Sequence, residues 1–457
     1  MPDFVSFNEF LDQTAAAKID HHHELISQAI SRLVRMGVAP PVPISDDVIE
    51  AEFTKMKNYV LGIYKHVTNV QRKHTFVGFD GSFHDCILHD QQPTYISAKN
   101  KGLNVSVTPP VPAAVAAGGA AAPQAMMAHA NSVAPPLLQG FLDLFGTKIA
   151  CPEDRVPMRR VTIARMARLG KFENYFRKPP NTPPLAGQFG STEIHHHAVC
   201  AVTNSPNYYG CSTFLNVWQV NPAPGVFSLS QLWLEGTSTS GRIQTVESGW
   251  QTYPTLWGTA PALFVYYNPN GYDPSTSGYV QNQNNEGFIL KPNSGWIVGG
   301  GLPGPYSTAN GTQFGLNMQW QIDAGNNWWL YLGPNGQPVT PVGYFPAGLY
   351  QGTLANAATT LQFGGEVSSQ DPGGANYPAT GPMGSGIAPS GDTATDFRRV
   401  AFQKQISVQT TAQGTMVPAQ LQVQSSAGDA GYRATQVSNS GSANWGSFMF
   451  FGGAHSA

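Results

Sequence analysis

The sequence predicts an all-β catalytic domain, an antiparallel β-sandwich, preceded by an N-terminal segment of mixed α/β character. Three observations carry this. From about Gln188 the chain breaks into short alternating runs, among them Thr213–Val220, Phe227–Leu234, Ile243–Tyr253, Ala262–Tyr267, Gly315–Ile322 and Thr360–Val367, separated by Gly, Asn and Pro. Strands this closely spaced, with no helix between them, signal an antiparallel sandwich. Before that point, Ala15–Met36 and Asp47–Val70 carry apolar residues at three- and four-residue spacing, broken by Pro40-Pro41-Val42-Pro43, which is the period of a helix. Charge also redistributes. Residues after Gln188 hold 6 bases and 11 acids, a formal −5, against +3 for the rest of the chain.

The remaining elements follow in order. Residues 76–100 read as short strands with a turn at Asp80-Gly81. Residues 105–137 are rich in Pro, Ala and Gly and read as a linker. Cys151–Lys178 is basic and ends in Arg177-Lys-Pro-Pro-Asn-Thr-Pro-Pro184, a hinge-like tract. Within the last part, Ala347–Ala357 is the one stretch that reads as a short helix. The expected division is 1–104, 105–137, 138–187 and 188–457.

Composition narrows function. Only 11% of the 457 residues are charged and the net charge is −2, where about 25% charged is ordinary. Neither nucleic acid nor an anionic membrane is an electrostatically favoured partner. No apolar run reaches the roughly 18 residues of a membrane helix. The start, MPDFVSFNEFLDQ, lacks the basic head and apolar core of a secretory signal. Of four cysteines, Cys200 and Cys211 flank the turn-like Asn204–Gly210. A hairpin disulfide and two packed thiols fit that spacing equally well.

Few residues after Gln188 can do chemistry. No GxSxG element stands there, and the histidines are His195, His196, His197 and His455. Alternation places His195 and His197 on one strand face, as a metal site needs, but strand-edge histidines making hydrogen bonds are the commoner case. His21-His22-His23-Glu24 is not a zinc helix motif, because Ser27 and Gln28 stand where the second His would fall. Most aspartates, such as Asp323, Asp371, Asp392, Asp396 and Asp429, lie among turn residues. Glu247 and Glu366 differ. Each lies inside an apolar run beside glycine, in Thr245-Val-Glu-Ser-Gly-Trp250 and Leu361-Gln-Phe-Gly-Gly-Glu-Val367. A buried carboxylate in a strand is costly, so each either faces water or is kept for chemistry. Outward-facing strand glutamates are the commoner case.

Several segments together resemble the neprosin family of glutamic endopeptidases. They include His197-Ala-Val, Tyr208-Tyr-Gly, Phe227-Ser-Leu-Ser-Gln-Leu-Trp-Leu, Val246-Glu-Ser-Gly-Trp250, Asn327-Trp-Trp-Leu, Gly343-Tyr-Phe-Pro and Phe363-Gly-Gly-Glu-Val. Asp80-Gly-Ser-Phe-His-Asp-Cys-Ile-Leu-His-Asp-Gln-Gln-Pro93 and Cys151-Pro-Glu-Asp-Arg-Val-Pro-Met-Arg-Arg160 resemble the family's activation segment. The resemblance implies a β-sandwich hydrolase whose two catalytic glutamates are Glu247 and Glu366. It implies cleavage on the carboxyl side of proline at acid pH, without metal or other cofactor. It also implies secretion as a zymogen whose pro-segment is an intramolecular inhibitor, with proline-containing peptides or proteins as substrate. Trp250, Tyr253 and Trp320 are then candidate walls of a proline pocket, against a core role for each. Pro180 and Pro184 are candidate points of self-processing. The rival readings are a β-sandwich glycoside hydrolase with two glutamates and a non-catalytic lectin-like module.

Overall fold

The computed structural model describes residues 4–35, 44–105, 108–115, 141–178, 194–222, 225–334, 337–369, 381–425, 431–442 and 444–453. The C-terminal part is two antiparallel sheets face to face. One has six strands in the order Gln422–Ser425, Ile194–Val202, Thr360–Ser369, Val226–Thr237, Ile243–Thr252, Ala262–Asn268. The other has nine. Its main path runs Arg433–Val437, Phe448–Gly452, Ala401–Gln409, Gly210–Asn216, Gly315–Ile322, Trp328–Pro334, Thr340–Phe345, Ile289–Leu290, with Val417–Pro418 added beside Ala401–Gln409. The all-β expectation for this part is met.

Period-two alternation builds the sandwich. On the Ile243–Thr252 strand, Val246, Ser248 and Trp250 face the second sheet, and Thr245, Glu247 and Gln251 face away. The inter-sheet core includes Leu232, Leu234, Val246, Trp250, Leu263, Trp320, Phe345 and Phe363, all fully buried. Its tryptophans keep their N–H groups satisfied across the gap. Trp250 Nε1 donates to the Asn216 carbonyl and Trp320 Nε1 donates to Ser248 Oγ, at 2.9 and 2.7 Å.

The N-terminal part packs against both sheets of this sandwich, Lys178 on the six-stranded one and Val105 and Pro110 on the nine-stranded one. Helix Phe7–Ala16 is closed by a capping box between Ser6 and Glu9. Phe7 and Phe10 set their rings edge-on to Tyr64 of helix Asp46–Tyr64. A three-stranded sheet, Thr75–Val77, Phe83–Leu88 and Arg155–Arg159, follows. Gly81 turns its first hairpin at φ +76, as the Asp80-Gly81 reading expects. The buried Arg160 guanidinium grips Asp85 with two hydrogen bonds of 2.7 and 2.8 Å. Residues 93–100 are a helix rather than strand. Pro93 sits in its first turn, where the missing N–H costs nothing. Conversely, Ala347–Ala357 forms two short 3-10 turns, Ala347–Leu349 and Thr353–Ala355, because Gly348 and Gly352 weaken a continuous helix.

The disulfide joins Cys86 to Cys151, tying the middle strand of the small sheet to the chain just before its third. Cys200 and Cys211 are free and buried. This corrects the hairpin-staple expectation. Cys200 lies on the six-stranded sheet and Cys211 on the nine-stranded one, so the turn between them carries the chain from one sheet to the other. Burial pushes the Cys200 thiol up to about 12, which leaves it unreactive.

Candidate active site

The outer face of the six-stranded sheet carries the site. Glu247 comes from Ile243–Thr252 and Glu366 from Thr360–Ser369, with Val226–Thr237 between them. On that middle strand Gln231 pairs with Gly249 on one side and Gly364 on the other. Neither glycine admits a side chain. A Cβ on Gly249 would meet the Ser230 carbonyl at 2.0 Å, and one on Gly364 the Ala198 carbonyl at 2.3 Å. Between the glutamates the middle strand presents Gln231, with Leu229 opposite Glu366 and Trp233 opposite Glu247 on the same face. Both carboxylates are fully buried, so neither faces water.

Lys178, the last described residue before the Pro-rich tract, lies against both. Its ammonium bonds Glu247 Oε2, lies 3.4 Å from Glu366 Oε2 and donates to Gln231 Oε1 at 2.9 Å. It also sits over Trp233, Phe264 and Tyr266, 5.4 to 5.9 Å from the ring centres. Tyr266 holds the backbone around it. Its hydroxyl accepts from the Lys178 N–H at 2.9 Å and donates to the Phe176 carbonyl at 3.1 Å. Farther upstream, Arg165 lies over the Trp257 ring and donates to the Leu256 carbonyl at 2.9 Å.

The two carboxylates live in different surroundings. Besides Lys178, Glu247 takes neutral donors: Thr245 Oγ1 and Tyr272 Oη on Oε1, both 2.7 Å, and Gln231 Nε2 on Oε2 at 2.9 Å. Glu366 takes imidazoles. His195 Nδ1 is 2.7 Å from its Oε1 and His197 Nε2 is 3.7 Å from the same oxygen. Burial alone would raise the Glu366 carboxyl. The Lys178 charge, the His195 hydrogen bond and the two imidazoles outweigh it and bring the group down to about 2. Nearby Glu235 goes the other way, raised to about 8 by burial and by the Glu247 charge.

The other expected residues divide by strand parity. Trp250 is three positions from Glu247 and so points to the opposite face, into the inter-sheet core. Trp320 belongs to the second sheet and the same core. Neither lines the cleft. Tyr253 does join the outer-face aromatic cluster, with Phe227, Trp233, Trp257 and Tyr266. Pro180 and Pro184 lie outside the described residues. Sequence reading missed Lys178, Gln231, Tyr266 and Tyr272. The alternation of Val226–Thr237 and Ala262–Asn268 could have placed Gln231, Trp233 and Tyr266 on the carboxylate face; nothing local marks Lys178.

A family model described as Neprosin matches residues 224–454. Among solved structures, the chain is similar to scytalido-glutamic peptidase with a peptide-based transition-state analogue. The identity is 10% and the TM-score 0.29, covering 56% of this chain and 97% of that one. It is also similar to SCP-B, a member of the Eqolisin family of peptidases, in complex with the tripeptide Ala-Ile-His. There the identity is 8% and the TM-score 0.28, covering 56% and 96%.

Proposed function

Since the chain belongs to the neprosin family of glutamic peptidases, we propose that it is a secreted, latent, acid-active endopeptidase that cuts on the carboxyl side of proline through Glu247 and Glu366. One observation carries the reading. Two buried carboxylates from different strands converge on a single cation, Lys178. When that cation withdraws, a water and a scissile carbonyl take its place within reach of both groups.

Glu366, flanked by His195 and His197, stays ionised and acts as the general base. It takes a proton from the water as the oxygen adds to the carbonyl carbon. Glu247, across Gln231 from it, carries the pair's shared proton. It hydrogen-bonds the developing oxyanion and then gives its proton to the leaving nitrogen as the C–N bond breaks. Two carboxylates around one water share a proton only on the acid side of the pair's higher pKa, which supports acid activity. The Cys86–Cys151 bond supports an oxidising destination. No helix among the described residues is long and apolar enough to cross a membrane.

The test is to hold the purified full-length chain at acid pH with a proline-containing peptide and a glucan panel, and to identify products by mass spectrometry. Peptide cuts after proline, absent in Glu247→Gln and Glu366→Gln, are the expected result. Cuts elsewhere would remove the specificity, and glucan cleavage without peptide cleavage would remove the peptidase reading.

A further inference from the structure

The three-residue cluster beside Lys178 has a second chemistry. We propose that His195, His197 and Glu366 form a binding site for a divalent transition metal ion of the zinc class, closed in the latent chain by Lys178 and opened when Lys178 leaves. The ion would act as an inhibitor, because it would take the Glu366 carboxylate away from catalysis.

The donor set is two imidazoles and one carboxylate, with a ring nitrogen of His195, a ring nitrogen of His197 and a Glu366 carboxylate oxygen all within 4.8 Å of one another. Three such ligands with a fourth position left to solvent are what zinc takes at its open sites, at about 2.0 to 2.2 Å from each. Small side-chain rotations from the present separations reach that geometry. Imidazoles also set the selectivity, since they favour zinc and its neighbours over magnesium and calcium.

The scaffold is rigid. His195 and His197 are two apart on one strand and share a face, with rings stacked at 16°. Glu366 is the direct antiparallel partner of His197, and Ser368 that of His195. The ladder between these two strands therefore sets the ligand positions without help from a loop. Ser368 Oγ lies 3.4 Å from His195 Nε2. It gives the far ring nitrogen an outer partner and leaves Nδ1 for the ion, the second-layer support that zinc histidines use.

A cation already sits against the other oxygen of this carboxylate. The Lys178 ammonium is 3.4 Å from Glu366 Oε2, in a pocket walled by Trp233, Phe264 and Tyr266. Once it goes, a buried carboxylate is left without its positive partner. A divalent ion satisfies that demand, and the two histidines are there to complete its shell.

Binding does not depend on the peptidase reading; only the inhibition does. The experiment is calorimetry with Zn2+ and visible absorption with Co2+ near neutral pH. It is run on the full-length wild-type chain, on Lys178→Met and on Lys178→Met with His195→Ala. We expect one Zn2+ per Lys178→Met chain, bound at least about ten-fold more tightly than by wild type, with the strong visible bands of four-coordinate cobalt. Adding His195→Ala should weaken binding by at least about ten-fold. Equal binding with and without His195, or none in Lys178→Met, would overturn the proposal. Should Lys178→Met fail to fold, the wild-type chain after acid treatment replaces it. Zn2+ must then bind it with the same cobalt signature and halt any peptide cleavage reversibly on chelation, while Mg2+ does neither. Zn2+ binding in a chain that cleaves no peptide would separate the two readings, sparing this one and removing the other.

Discussion

Lys178 Nζ lies 3.4 Å from Glu366 Oε2 while it bonds Glu247, so one cation from the N-terminal part bridges two carboxylates of the sandwich. The contact is fully buried on both sides. Its strength depends on both carboxylates being ionised.

The sign of the pH effect follows from Glu366. Its carboxyl is brought down to about 2, below the ordinary value of about 4.3. Its contribution is therefore whole above that ordinary value and is lost as pH falls through about 2. The wild-type chain should show a lag before cleavage that shortens with acid. Lys178→Ala should abolish the lag and raise the initial rate at least about ten-fold. A stopped time course with a fluorogenic peptide checks this; an unchanged lag would exclude Lys178 as the restraint.

Replacing either carboxylate with its amide keeps size and most hydrogen bonding. Glu247→Gln and Glu366→Gln should each lower kcat by about 100- to 10,000-fold, the range for a positioned acid or base. Near-ultraviolet circular dichroism should remain that of the wild type. Retained turnover in either variant would break the assignment of the pair.

His84 provides a second acid-sensitive point, in the small N-terminal sheet. Burial pushes its imidazole down to about 3, with Arg159, Arg165 and Arg160 adding to the effect and Asp80 opposing it. The unfolded chain takes up that proton at about 6.5. Stability is thus lost progressively as pH falls from about 6.5 toward 3. His84→Gln removes this proton uptake and should move the acid midpoint of N-terminal unfolding to lower pH, read by limited proteolysis across a pH series. A midpoint that stays put would mean His84 is not among the groups that loosen this region.

Glu235 behaves oppositely. Its folded carboxyl is raised to about 8, with burial the larger cause and Glu247 the second. The folded chain holds a proton that the unfolded chain releases, so stability falls as pH rises from about 4.3 toward 8. Glu235→Gln should raise Tm near neutral pH and leave it unchanged near pH 4. Equal shifts at both pH values would point to packing instead of charge.

The two carboxylates were legible in the sequence because each breaks the chemistry of its own strand: Glu247 and Glu366 are charges in apolar runs beside glycine. The parity of Trp250 was legible too, since three positions along a strand reverse the face. Trp320 was not, because nothing in its own run says which sheet it joins. Cys200 and Cys211 misled by spacing: a short turn usually joins paired strands, but here it passes between sheets. Lys178 could not be found at all. Its role comes from the path of the segment before it, held by Arg165 on Trp257 and by Tyr266 on the backbone, and no local pattern encodes a path.

The Cys86–Cys151 bond spans 65 positions, and the Ala- and Pro-rich stretch from 116 to 137 lies wholly inside that ring. A single cut there opens the ring without releasing either piece. On a gel without reductant the nicked chain runs as one band, and with reductant as two. Detachment of the segment that carries Lys178 requires a cut on the far side of that residue. The crosslink thus divides the exposed termini that proteolysis can create into those that change only the gel pattern and those that change what the cleft can admit.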